Sequence, residues 1–154
     1  MELLAAIEQN DLVRLLKSSF YAYPIVNALH IASIGGLLTS VWLMDFRVLG
    51  WLGALPEEPF LKLLRRVGLI AFTCAAVTGL TLFSVRATEY VSLPVFLAKM
   101  ALIVLAGLNL LLFVLLDRRR LAGAGPSISE RVVAGLSATL WTAVLFAGRF
   151  IGFA

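Results

Sequence analysis

The chain has 154 residues, 61% of them hydrophobic and 14% charged, and its mean hydropathy is +0.99. A water-exposed globule of that composition would be insoluble, so the bilayer is its solvent, and four spans would leave no room for a separate soluble catalytic domain. The net charge of +4 gathers in two loops, which points to topology and contact with anionic membrane lipids and argues against nucleic-acid binding.

The first 20 residues mix Glu2, Glu8, Asp11, Arg14 and Lys17 with leucines. They contain no unbroken apolar core, so a cleavable leader is not expected. Leu4, Ile7, Leu12, Leu15, Leu16 and Phe20 recur at helical spacing, with Asn10 or Asp11 placed to cap or break. This predicts one or two amphipathic helices along the membrane surface, the other reading being a frayed polar leader.

Four apolar runs follow, at residues 24–46, 67–85, 94–116 and 132–153. Each is at or above the roughly 18–20 residues that a helix needs to cross a bilayer. The predicted fold is all-α, a polytopic antiparallel bundle of four transmembrane helices in a single domain, 1–154, with an interfacial N-terminal helix. Glu57, Glu58 and Pro59 suit a first helical turn and start the second helix ahead of its span. Ser127 and Glu130 have capping-box spacing before the fourth, residues 122–126 form a Gly/Pro-rich linker, and Cys74 stands alone within the second run, with no intrachain disulfide to make.

Orientation follows from the basic residues. Arg47, Lys62, Arg65 and Arg66 lie between the first and second runs, and Arg118, Arg119, Arg120 and Arg131 between the third and fourth. On the other side only Arg14, Lys17 and Arg86 lie outside the spans. The positive-inside bias puts both basic loops in the cytoplasm and both termini outside.

Depth can then be counted. His30 lies seven residues in from Tyr23, Lys99 five in from Pro94 and Arg149 five in from Ala154. At 1.5 Å per residue the three basic groups are roughly 8–11 Å below one surface, the external one. No acid lies inside the spans at that depth, and Glu89, with Tyr90, is in the short external loop. Taken singly, Lys99 and Arg149 can snorkel to the headgroups, and a neutral His30 can be satisfied by a helix carbonyl or a hydroxyl. Coincidence of depth favours a shared interior site for an anion. Each cation would otherwise cost at least ~2.5 kcal/mol on insertion scales.

A second polar point sits at the cytoplasmic end of the first span, where Asp45 can pair with Arg47, Arg65, Arg66 or the cluster Arg118, Arg119 and Arg120 in a structural salt bridge. Asn109, deep in the third span, is expected to form an interhelical hydrogen bond, as are Thr73, Thr78, Ser137 and Thr139. Gly36 with Ser40, Ala75 with Gly79, and Gly148 with Gly152 supply small-xxx-small spacing for close helix packing. Trp42, Trp51 and Trp141 need no role beyond packing and interface anchoring.

The strings YPIVNALHIASIGGLLTSVWLMDFRVLG, FLAKMALIVLAGLN and WTAVLFAGRFIGF resemble an uncharacterised family of small bacterial four-helix inner-membrane proteins. That pattern has a first-span His, a following D-x-R-x-L-G, a Lys early in the third span and a G-R near the end. More distantly, a first-span His with a third-span Lys resembles the haem-b-containing, oxygen-independent protoporphyrinogen oxidases and the membrane copper-resistance proteins near them. The resemblance implies a bacterial inner membrane, His30 as an axial haem ligand and metal ligand, and Lys99 as partner to haem or substrate carboxylates. This chain has one histidine, so bis-His ligation within one protomer is impossible. The sixth position would be open, or filled by Met100, Tyr90 or a second subunit's His30.

Chemistry and resemblance converge on a redox group for electron transfer. Haem b offers a metal for His30 and two propionates for Lys99, Arg149 and Arg86. A quinone head group suits the same residues. Two rivals come from other classes: a non-redox accessory, scaffold or small transport subunit whose polar layer binds lipid phosphate or an anionic solute, and a copper protein. Against the latter, Cys74, Met44, Met100 and His30 are spread over several depths. A homo-oligomer or a larger membrane complex would be the setting.

Overall fold

The computed structural model describes residues 2–54, 56–117 and 125–153. Arg118, Arg119, Arg120 and most of the 122–126 linker lie outside the described residues. Among those described, all regular structure is helical, and four helices are long and apolar enough to cross a membrane. The protein is an all-α, multi-pass four-helix membrane bundle.

Two short helices come first, α1 (Glu2–Glu8) and α2 (Asp11–Ser18). Asn10 divides them because its side-chain oxygen accepts the Leu12 N–H at 3.0 Å and starts α2 afresh. No residue of α2 is buried, and Leu12 and Leu15 are exposed. Val13 and Leu16 are half-buried, and α2 packs against α3 and α4. The Glu8 carboxylate accepts both the Thr88 N–H and the Thr88 hydroxyl at 2.7 Å. These charge-assisted bonds tie α1 to α5 (Ala87–Ser92), a short helix formed where a plain loop is expected from the sequence.

The spans are α3 (Ala22–Leu49), α4 (Glu57–Val85), α6 (Pro94–Asp117) and α7 (Ile128–Phe150), the last continued by a 3-10 turn, Ile151–Phe153. At 28 residues, α3 is about 42 Å long, more than the ~30 Å hydrocarbon layer needs. It stops at Gly50, whose φ of 96° only glycine adopts freely, and there the Trp51 N–H reaches back to the Phe46 carbonyl at 3.0 Å. Ser127 and Glu130 form the expected capping box at the start of α7.

The closest packing is between α3 and α4 and between α6 and α7, with α3 against α7 joining the two hairpins. The cyclic order is α4, α3, α7, α6. One stripe of α4 (Leu61, Leu64, Gly68, Ala75, Thr78, Val85) turns inward while Leu69, Ile70, Val77 and Leu80 face outward, exposed. Between α4 and α6 backbone packing is sparse. They meet through side chains: at the end carrying the termini (the terminal end) Phe83, Tyr90 and Phe96 form three near-parallel rings with centroids 5.4–6.3 Å apart, and at the loop end Arg65 pairs with Asp117 at 3.4 Å. Between these, Phe72 of α4 meets the Trp141 ring of α7 edge-on.

Several expected pairings differ. Asp45 forms no ion pair among the described residues: it is 8% exposed, it faces the Ser137 hydroxyl, and Arg65 has taken Asp117 instead. Asp45 sits on the inward face of α3, while Arg65 is exposed at the edge of the bundle. Thr73 and Thr139 bond the carbonyls four residues back in their own helices rather than across an interface.

Candidate functional site: a histidine and a lysine at the terminal end

His30 lies eight residues inside α3 and Lys99 five inside α6, at roughly 8–12 Å depth. Both are half-buried. Each occupies room left by an absent side chain. A methyl group on Gly79 of α4 would stand 3.0 Å from His30 Cε1, and one on Gly148 of α7 would stand 3.3 Å from Lys99 Nζ. All four spans thus contribute: two supply a polar group and two supply a gap. The small-residue spacing foreseen for helix–helix approach serves, at Gly79 and Gly148, to seat these polar side chains.

The tautomer of His30 follows from its neighbour. Nδ1 lies 2.9 Å from Thr78 Oγ1, and the Thr78 hydroxyl donates to the Cys74 carbonyl at 2.6 Å. With its proton so committed, the Thr78 oxygen is placed to accept from the imidazole, and the Ala75 carbonyl also lies against the ring.

Arg149 does not join this pair. It follows Gly148 by one residue, so it points about 100° around α7; its guanidinium lies 4.5 Å from the Phe153 ring centroid, and the residue is exposed. Arg86 pairs with Glu89 at 3.5 Å, both side chains more than half exposed. Of the four candidate cofactor-binding residues, His30 and Lys99 are the two that are half-buried, at a similar depth.

The three rings are part of the site's surroundings that sequence reasoning missed. Phe83 is one turn beyond Gly79 on α4, and Phe96 is one turn before Lys99 on α6, so the rings form a roof over the pair. The signal lay in the spacing, Gly79 to Phe83 and Phe96 to Lys99, which places each aromatic on the face of a polar-site residue.

Elsewhere, two apolar grooves of about 530 and 310 Å3 open to the surface: one between Trp42, Phe46 and Thr142, where Trp42 Nε1 donates to Thr142 Oγ1 at 3.3 Å, the other around Asn109 and Leu140. Their linings carry no ionisable group. No group of three or more His, Cys, Asp or Glu residues placed to hold a metal occurs among the described residues, and Cys74 is free and exposed. Compared with family models, curated proteins and solved structures, the chain matches none.

Proposed function

We propose that this protein binds the head group of a lipophilic quinone in the outer leaflet of a bacterial inner membrane, with both termini outside. The observation that carries the reading is that His30 and Lys99 lie half-buried at one depth, with the stacked rings of Phe83 and Phe96 about one turn nearer the terminal end. Nε2 accepts a quinol hydroxyl, and the Lys99 ammonium binds a ring oxygen as charge gathers on it. Phe83 and Phe96 offer planar surface for the ring. Sparse packing between α4 and α6 leaves a side entrance for a molecule that travels in the lipid.

Haem b is the second reading, favoured by the Thr78 bond, since a hydroxyl or carbonyl on Nδ1 is the usual support of a ligating imidazole. Two propionates ask for two cations, and Arg149 turns away. The donor set therefore fits haem less well than it fits a quinone, whose oxygens need one ammonium and one imidazole. A lipid phosphate would use Lys99 and leave the oriented imidazole without a task.

The test is extraction of the detergent-purified protein, with quantification of co-purified quinone and the visible spectrum. Quinone near one per chain, lost in His30→Ala and Lys99→Ala and retained in Arg149→Ala, is the expected result. A Soret band that disappears in His30→Ala would replace quinone by haem. Neither quinone nor Soret band in protein made with ample haem would end the redox reading and leave the accessory or transport role. A reporter fused after residue 153 should report the external side, and one placed at Gly125 the cytoplasm.

A further inference from the structure

Between α6 and α7 the groove of about 310 Å3 is lined by Leu105, Leu108 and Leu112 of α6 and Leu136 and Leu140 of α7. The three α6 leucines and Leu136 are exposed, an ordinary state for apolar side chains in lipid. Asn109 lines the same groove and differs from them in kind. It is 6% exposed; its Nδ2 donates to the Val133 carbonyl of α7 at 3.1 Å, and its Oδ1 has no hydrogen-bond partner among the described residues. A carboxamide offers two N–H donors and an acceptor oxygen, so one N–H and the oxygen are left over. The main chain of α6 and α7 cannot satisfy that oxygen, because its N–H groups at this depth are already bonded within each helix.

The chemistry and the depth of the missing partner both follow. Asn109 lies eight residues, or about 12 Å, from the Asp117 end of α6 and fifteen residues, or about 22 Å, from Pro94. The partner must therefore bring a donor and an acceptor deep into the hydrocarbon layer. A lipid tail fills the groove but has no donor, and a lipid head group stays at the surface. A second copy of this chain meets both conditions. Two copies inserted with the same orientation are related by a rotation about the membrane normal, which leaves every residue at its own depth and puts Asn109 level with its own image. A carboxamide with one N–H and one oxygen free is complementary to that image, since each Nδ2 can donate to the opposite Oδ1. The χ2 torsion of asparagine is soft, and a small turn about it presents both atoms to the groove.

We propose that two copies of this chain associate side by side through the α6–α7 face, with the two Asn109 carboxamides paired at the two-fold axis. The leucines that flank Asn109, exposed in the single chain, pack against their counterparts. The pairing requires no occupant beside His30 and stands whether or not a quinone binds there.

The experiment places one fluorophore at the C-terminus of the full chain and counts photobleaching steps in lipid vesicles over a range of protein-to-lipid ratios. Wild type should pass from one step to two as the ratio rises, giving a dissociation constant. Asn109→Leu should raise that constant roughly tenfold or more, as loss of paired polar contacts between helices does. Because that substitution also removes the Val133 bond, a second reading leaves Asn109 in place. In a Cys74→Ala background, Leu108→Cys and Leu112→Cys should form disulfide-linked dimers under mild oxidation, and Leu69→Cys, on the exposed outer face of α4, should not. A wild-type chain that stays monomeric at every ratio overturns the proposal, whether a lipid tail or another protein then fills the groove. So does cross-linking at position 69 as efficient as at 108 and 112, or an Asn109→Leu chain that dimerises as wild type.

Discussion

Near the terminal end the bundle makes room for its polar groups by omitting side chains, with Gly79 under His30 and Gly148 under Lys99. Near the loop end it makes none: Asp45 and Asn109 enter a layer where Val48, Val133 and Ala134 are also buried. The terminal-end groups are half-exposed, and His30 has its partner in Thr78. The loop-end groups are nearly sealed and short of donors. One chain thus shows two ways of carrying polarity in an apolar bundle, one that leaves space beside the polar group and one that seals it in.

The largest effect that sharpens this contrast comes from filling the gaps. Gly79→Ala puts a methyl group against a rigid imidazole held by Thr78, and we expect about 1–3 kcal/mol of destabilisation, as for overpacking in a core. Gly148→Ala meets the far end of a flexible lysine, which gives way, and the helix-propensity gain of up to ~1 kcal/mol brings it near neutral or above. Gly35→Ala, where a methyl group would meet nothing within 4 Å, calibrates that gain. Unfolding midpoints in detergent decide it; equal behaviour at positions 79 and 148 would break the contrast.

A smaller effect concerns the strap across the terminal end. The two Thr88 hydrogen bonds, backbone first, hold the Glu8 carboxyl below its ordinary pKa. The native state therefore prefers the ionised form, so the contribution is complete above the unfolded-state pKa and is lost as pH falls through the lower folded value. Hydrogen exchange at the Thr88 amide should accelerate relative to a distant helical amide across that acid range, and Glu8→Gln should remove the pH dependence. An unchanged profile in Glu8→Gln would sink the assignment. The smallest effect is expected at Arg65→Ala: with Arg65 55% exposed, the pair with Asp117 should cost under about 1 kcal/mol and weaken with salt.

Much of the fold was legible because in lipid every backbone group must be satisfied within a segment, so an apolar run near 20 residues long has one outcome. The capping box at Ser127 and Glu130 and the break at Asn10 were equally local. The three-basic layer was not, because depth along a helix is counted in residues while direction around it is set by packing. Lys99 and Arg149 come out at the same count, and a single step of rotation past Gly148 sends Arg149 to Phe153. Asp45 shows the same limit in reverse. Its charged neighbours in the sequence suggested a surface pair, yet it occupies the inward face that Leu37 and Val41 also share. The bond from Glu8 to Thr88 spans 80 positions, and no local pattern announces it.

The pairing of α3 with α4 and of α6 with α7 has a consequence for biogenesis. Each pair is consecutive in the chain, so its partners leave the ribosome one after the other, and the first hairpin can dock in the bilayer while the second is still being made. What waits for the last helix is the α3–α7 seam and, with it, both polar layers: Lys99 gains its place against Gly148, and Asp45 meets Ser137, only when α7 arrives. Until then Lys99 and Asp45 lack those neighbours, while His30 already has Thr78 and Arg65 has Asp117. Insertion and completion of these contacts are therefore separate events, and a truncation before residue 128 should yield three inserted spans that lack the Gly148 seat of Lys99 and the Ser137 neighbour of Asp45.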